Sequence, residues 1–126
     1  WPAHEQDLAQ AAGLLHDIGW FSQFAEFGTF SDDASVDHGE RGAVVLQKAG
    51  WLADWDSEDF SAILTAVRYH NRLRVPATVR GEALALLRLV RDADKLDILR
   101  IVLDAVERDG FRELPSMLPH VRLAGW

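Results

Sequence analysis

Apolar residues recur at intervals of three and four along most of the chain, and this spacing constrains the fold more than any other feature of the sequence. In the first segment the apolar stripe consists of Leu8, Ala11, Ala12 and Leu15. A stripe with this period forms one face of an amphipathic α-helix. No segment shows the strict alternation that is typical of a β-strand. The periodicity therefore predicts an all-α fold, a compact bundle with at least four main helices.

Capping residues and glycines set the predicted ends of the first two helices. Helix A is expected over about residues 5–17, with Gly19 as the residue that ends it. Helix B is expected to begin at Asp37, since Glu40 three residues later completes a capping box. The next glycine, Gly50, predicts its end.

Two further helices and two irregular segments complete the predicted organisation. Helix C is expected over about residues 58–70, and helix D over about residues 82–106. The tail, residues 111–126, contains two prolines and is expected to be irregular. A long loop is expected over residues 20–36, and a loop of that length favours a functional role. It carries four phenylalanines, Phe21, Phe24, Phe27 and Phe30.

Length, charge and cysteine content limit the class of protein. The 126 residues suffice for one domain, expected over 1–126, and the start at Trp1 predicts that it is truncated at its N-terminus. The net charge of −7 argues against broad nucleic-acid or membrane-surface binding. The absence of cysteine excludes disulfides and thiolate metal sites, and it fits a reducing compartment, so a cytoplasmic location is expected.

One stretch of this acidic chain is basic. Residues 68–80 contain four arginines and no acidic residue. A local basic patch suits a small anionic ligand, and a solvated loop is an equally good interpretation. The arginines are Arg68, Arg72, Arg74 and Arg80.

Each predicted helix also places a histidine or an aspartate on its apolar stripe. An unpaired buried carboxylate costs several kcal/mol, and metal coordination removes that cost. Imidazole and carboxylate together suit Mn, Fe, Co, Ni or Zn, and Mg less well. Taken singly, each of these residues also fits a hydrogen-bonded core position, and Asp97 is expected either to be structural or to support a metal ligand through a hydrogen bond. The residues on the stripes are His16, Asp17, His38, His70, Asp94 and Asp97, whereas Asp92 falls off the stripe.

Four short motifs, in this order, resemble the HD superfamily of metal-dependent phosphohydrolases. Residues 15–19, Leu-His-Asp-Ile-Gly, resemble its His-Asp signature, and residues 92–97, Asp-Ala-Asp-Lys-Leu-Asp, resemble its closing aspartate motif. Residues 37–40, Asp-His-Gly-Glu, and residues 69–71, Tyr-His-Asn, resemble the additional histidines of two-metal members. Residues 19–38 are similar to a bacterial subgroup of these proteins. The ordered set spans most of the chain.

The resemblance implies a role for each site residue. His16, Asp17 and Asp94 would hold a first divalent metal, and His38 and His70 a second, with Asp17 able to bridge the two. Asp17 and Lys95 would be the catalytic residues. Three cations would bind the phosphate of a small substrate, which we expect to be a nucleotide or another phosphate ester: Arg68, Arg72 and Lys95.

The chain departs from the family pattern at its start. The family places a first histidine on a helix a few tens of residues before the His-Asp pair, and only 15 residues precede His16. His4 lies about 18 Å from His16 along the predicted helix and is too distant to share its metal. We expect that the first-histidine helix was cut away.

Two other functions stay open at this point. Some HD proteins use a di-iron pair for oxygen chemistry, and the residues alone do not separate that function from phosphate hydrolysis. An HD module that binds a nucleotide for regulation without catalysis is the other alternative, and the missing first histidine favours it. The substrate, the number of metal ions and the oligomeric state are not set by these motifs.

Overall fold

Five α-helices make up most of residues 2–108, the part of the chain that this computed structural model describes. No strand occurs in that part, so the predicted all-α fold with at least four main helices is confirmed. None of its helices combines the length and apolar character needed to cross a membrane. The predicted irregular tail, residues 111–126, lies outside the described residues. In chain order the elements are α1 (Ala3–Leu15), α2 (Ile18–Phe27), a 3-10 helix (Asp32–Ala34), α3 (His38–Ala49), α4 (Ser57–Tyr69) and α5 (Gly81–Arg108).

The chain divides into two compact units, Trp1–Asp92 and Ala93–Trp126. The first unit contains α1 to α4 and the first part of α5. Within it α3 and α4 are the inner pair of helices: α3 packs against α2 and α4, and α4 packs against α3 and α1. The buried apolar side chains of the described residues all lie in this first unit: Leu8, Ala12, Ala43, Leu46, Leu52, Ala62, Ile63, Leu64, Ala66, Val67, Leu86, Leu87 and Val90.

The ends of α3 and α4 follow from short polar side chains and glycine. The Asp37 carboxylate accepts a hydrogen bond from the backbone N–H of Glu40 at 2.8 Å, and Gly50 ends α3 in the left-handed region at φ 68°. Both ends predicted for helix B are therefore confirmed. At α4 the cap is Asp56, which accepts hydrogen bonds from two first-turn N–H groups at 3.0 Å. These caps satisfy backbone donors that have no partner within the helix.

The predicted loop over residues 20–36 is wrong in its first half, because α2 occupies Ile18–Phe27. Gly19, expected to end helix A, lies inside α2, and helix A already ends at Leu15. The glycine has a packing role instead. A Cβ at Gly19 would lie 2.0 Å from the carbonyl oxygen of His38 and 2.7 Å from the backbone nitrogen of Gly42. The four phenylalanines of this segment remain exposed: Phe21, Phe24, Phe27 and Phe30.

We expect Gly19→Ala to lower the free energy of unfolding by about 2–3 kcal/mol, because α2 and α3 must separate to admit the methyl group. Gly13→Ala is the matched control. Gly13 lies inside α1, and a Cβ there would meet nothing within 4 Å. Its replacement is expected to stabilise the protein by about 0.5–1 kcal/mol. Urea unfolding followed by circular dichroism measures both changes, and equal stability of the two variants would contradict the packing role.

Candidate metal centre

The four predicted metal ligands of the first unit all stand at helix ends. His16 is the C-cap of α1, and Asp17, the next residue, is the N-cap of α2. His38 is the first residue of α3, and His70 is the C-cap of α4. Three packed helices and the turn between α1 and α2 thus bring these side chains into one cluster.

Asp17 lies at the middle of this cluster. Its Oδ2 is 3.1 Å from Nε2 of His16. Its Oδ1 is 3.3 Å from Nε2 of His70 and 3.4 Å from Nε2 of His38. The Nε2 atoms of His38 and His70 are 3.0 Å apart. His16, Asp17 and His70 can each offer one ligand atom to a common position, all within 4.8 Å of one another.

The other ring nitrogen of each histidine has its own acceptor. Nδ1 of His16 lies 2.7 Å from the carbonyl oxygen of Gly13, and Nδ1 of His70 lies 2.7 Å from that of Val67. A carbonyl oxygen only accepts, so these Nδ1 atoms carry the proton and donate it. In the neutral rings the lone pair is then on Nε2, which faces Asp17. Imidazole ligands of metals are oriented in the same way by a hydrogen bond to the second nitrogen.

This donor set fits a divalent metal. Nε2 of His38 and of His70 approach each other and Oδ1 of Asp17. With the proton of each neutral ring on Nδ1, three electron-rich atoms meet with no N–H between them. Such an arrangement requires a cation, which is either a proton on a ring or a metal ion. Nitrogen and carboxylate oxygen ligands are those that Mn, Fe, Co, Ni and Zn accept.

The pKa values of the cluster reflect the same crowding. Burial raises the pKa of Asp17, but the contacts of its carboxylate with His16, His38 and His70 lower it by more, so the net pKa lies well below its usual range. Burial lowers the pKa of His38, and the carboxylates of Asp17 and Asp32 raise it by more. Asp17 is therefore a permanent anion at neutral pH, as a metal ligand must be.

Aromatic rings enclose the centre on the α2 side. The ring of Trp20 lies 5.1 Å from that of His38, and Phe30 lies 5.7 Å from Trp20. The ring of His70 packs edge-on against that of His16, with centroids 5.0 Å apart. His38 and His70 are both buried, at 8% and 5% exposure. Water therefore screens the charge interactions of these two rings less than those of exposed groups.

Sequence reasoning missed Asp32, which contacts His38 from the outside of the cluster. Both carboxylate oxygens lie within 2.9 Å of Nδ1 of His38. The side-chain amides of Gln23 and Asn71 each donate to Asp32 at 3.0 Å. The sequence offers no signal that separates Asp32 from its neighbour Asp33. Gln23 is fully buried within α2, and sequence reasoning missed it because a loop was expected over this segment.

The predicted substrate-binding arginines lie on the surface of the α3–α4 pair and have acidic partners. Nε of Arg68 is 3.2 Å from the Glu40 carboxylate, and Nε of Arg72 is 3.2 Å from that of Asp37. Arg72 also lies over the ring of Tyr69. Their predicted role toward a phosphate stays a prediction.

Three further candidates lie in the second unit, on the C-terminal part of α5. Asp94 and Lys95 belong to this unit, and their predicted roles as metal ligand and phosphate-binding residue stay predictions. Asp97 pairs with Arg100 one turn along the same helix, at 2.7 Å, and the role expected for Asp97 stays a prediction.

His4 contacts a residue outside the cluster. Its Nε2 lies 3.0 Å from the carboxylate of Asp59, a buried residue in the first turn of α4. It therefore serves the packing of α1 on α4.

The helical fold and the His/Asp cluster define a class of all-α proteins with a candidate metal centre. The profile of the HD domain matches residues 3–99, which is most of the chain. The chain therefore belongs to the HD-domain family. No curated protein and no solved structure matched it. The family suggests a metal-dependent phosphohydrolase, and the His/Asp cluster is compatible with that activity.

We expect His70→Ala to weaken the binding of Mn²⁺ or Zn²⁺ by more than the ~10–100-fold that loss of an outer partner costs, because His70 is a predicted direct ligand. His4→Ala is the control, since His4 contacts Asp59 instead of the cluster. Isothermal titration calorimetry of the chain with each metal measures both affinities. An unchanged affinity in His70→Ala would remove His70 from the site.

Proposed function

We propose that this chain is a metal-dependent phosphohydrolase that acts on a nucleotide or another small phosphate ester through a mono- or binuclear His/Asp centre. The observation that supports this most directly is the orientation of Asp17. Its Oδ2 faces His16, whereas its Oδ1 faces His38 and His70. One oxygen of the carboxylate is therefore available on the side of His16, and the other on the side of His38 and His70.

This division suits a bridging ligand. His16 with Oδ2 of Asp17 would form part of one metal position, and His38 and His70 with Oδ1 part of another. Asp94 is proposed to complete the first set on the ground of the family motif alone. A single ion held by His16, Asp17 and His70 is the mononuclear version of the same proposal.

A phosphate ester is the substrate class that such a centre would serve. A bound divalent ion lowers the pKa of a water molecule and offsets charge on the phosphoryl oxygens. Water adds to phosphorus, the ester P–O bond breaks, and the leaving oxygen takes up a proton. Asp17 would keep the ligand set anionic, and the buried histidine rings would limit the access of further water to it.

Two arginines, each two residues from His70 in the sequence, are proposed to hold the substrate. Nε of Arg68 lies 3.2 Å from the Glu40 carboxylate. Arg72 pairs with Asp37 at 3.2 Å and with Glu40 at 3.8 Å. A guanidinium has five N–H donors, so the remaining donors can bind phosphoryl oxygens. Lys95 is proposed as a third phosphate-binding cation, on the ground of the family motif alone.

Asp17→Ala is expected to abolish metal-dependent phosphate release, because it removes the carboxylate that faces all three histidines. Asp92→Ala is the control, since its exposed side chain lies off the apolar stripe of α5. The assay measures release of nitrophenol from p-nitrophenyl phosphate and from bis(p-nitrophenyl) phosphate with added Mn²⁺, so that monoester and diester hydrolysis are separated.

Three outcomes would contradict the proposal. Full activity of Asp17→Ala would remove this residue from catalysis. An iron-loaded protein that consumes oxygen and releases no phosphate would favour di-iron chemistry. A wild-type chain that binds nucleotides without hydrolysing them would favour a regulatory module.

A further inference from the structure

The three histidines of the centre do not share the same kind of outer partner. His16 and His70 each follow the last residue of a helix, and their Nδ1 atoms donate to Gly13 and Val67, carbonyls three residues back. The last carbonyls of a helix have no partner within it, so an acceptor is available at each of these positions. One hydrogen bond therefore caps the helix and orients the ring.

His38 lies at the N-terminal end of its helix, where no helix-terminal carbonyl is available to accept from Nδ1. It is the first residue of α3. The free backbone groups at a helix N-terminus are N–H donors, and a donor cannot accept the proton of Nδ1. An acceptor for His38 must therefore come from another part of the chain.

Asp32 supplies that acceptor from the 3-10 helix. Its two carboxylate oxygens lie 2.9 and 2.8 Å from Nδ1 of His38, and its Oδ1 also accepts from the backbone N–H of His38 at 3.3 Å. The carboxylate thus holds both the ring and the first peptide group of α3. Asp33, the next residue, is exposed.

Two amides fix Asp32 in turn. Gln23, fully buried in α2, donates to Oδ1 of Asp32 at 3.0 Å and lies 2.7 Å from the carbonyl oxygen of Val36. Asn71, which follows His70, donates to Oδ2 at 3.0 Å. An ionised carboxylate only accepts, so the contact of Asp32 with Nδ1 of His38 favours a proton on that nitrogen, which also lies 3.4 Å from Nδ2 of Asn71.

We propose that Asp32 is a positioning residue of the metal centre, which keeps the proton of His38 on Nδ1 and turns Nε2 toward Asp17 and His70. The inference rests on the proposed function and adds to it a residue that touches neither metal nor substrate. It also gives Gln23 and Asn71 a role, which is to hold Asp32 in the orientation that His38 requires. Without Asp32, the neutral ring is free to move its proton to Nε2 and to lose its ligand atom.

The test combines proton positions with metal affinity. Long-range ¹H–¹⁵N correlation spectra of the ¹⁵N-histidine-labelled chain, assigned with His38→Ala, report which ring nitrogen carries hydrogen. We expect Nδ1 of His38 to be protonated in the metal-free and in the Zn²⁺-loaded wild type, with only the Nε2 signal moved by Zn²⁺. In Asp32→Ala we expect loss of the Nδ1 proton signal and a Zn²⁺ affinity about 10–100-fold lower by calorimetry. Asp33→Ala should match the wild type in both measurements.

The outcomes separate this inference from the proposed function. A wild type that takes up no Zn²⁺ would overturn the metal centre and this inference with it. A wild type that takes up Zn²⁺, yet carries the proton of the neutral His38 ring on Nε2 when metal-free, would overturn the role of Asp32 alone. Unchanged affinity and an unchanged Nδ1 signal in Asp32→Ala would do the same. The wild-type spectra decide the question even where Asp32→Ala does not fold.

Discussion

The contact of Asp17 with three imidazole nitrogens is the interaction on which the rest of the first unit depends. Its oxygens lie 3.1 to 3.4 Å from Nε2 of His16, His38 and His70. These residues come from different helix ends, so the distances require the backbones of α2, α3 and α4 to approach closely. Glycines at 19, 39 and 42 permit that approach, since a Cβ at each would lie 3.0 Å or less from a neighbouring helix. These glycines therefore allow both the close packing of the helices and the short distances within the site.

Helix termini place the ligands because they combine a fixed backbone position with unused hydrogen-bonding groups. A side chain in the middle of a packed helix must share its space with the core, whereas one at the end can turn toward a neighbouring terminus. His16 and His70 use free carbonyls to fix their rings, and His38 uses Asp32. The polarity of each helix therefore decides which outer partner its histidine needs. The 3-10 helix has a function here that its three residues alone do not suggest.

The sequence predicts the helices and the principal cluster for different reasons. Capping residues predict helices B and C well, because α3 and α4 each begin after an aspartate that is used as a cap. Helix D is predicted from its apolar periodicity. The same reasoning fails at Gly19, because a glycine required for close packing has the same sequence appearance as one that ends a helix. Asp32 is not predictable from the pattern, because its contact with His38 depends on how α2 and the 3-10 helix fold. The grouping of His70 with His16 as well as with His38 also depends on the packing of α4 between its neighbours.

A metal ion bound at this centre would stabilise the folded first unit. Without a cation, the lone pairs of His38 and His70 and the Asp17 carboxylate face one another in a buried position, which opposes folding. A metal that binds the folded chain and not the unfolded one adds a stabilisation that grows with the logarithm of its concentration over its dissociation constant. Because His70 caps α4, which packs against both α1 and α3, that stabilisation acts on a helix with two packed neighbours. A residue outside the ligand set, such as Asp32, would then affect both metal affinity and stability. It orients the ring of His38 toward the metal position, and it attaches the start of α3 to the 3-10 helix.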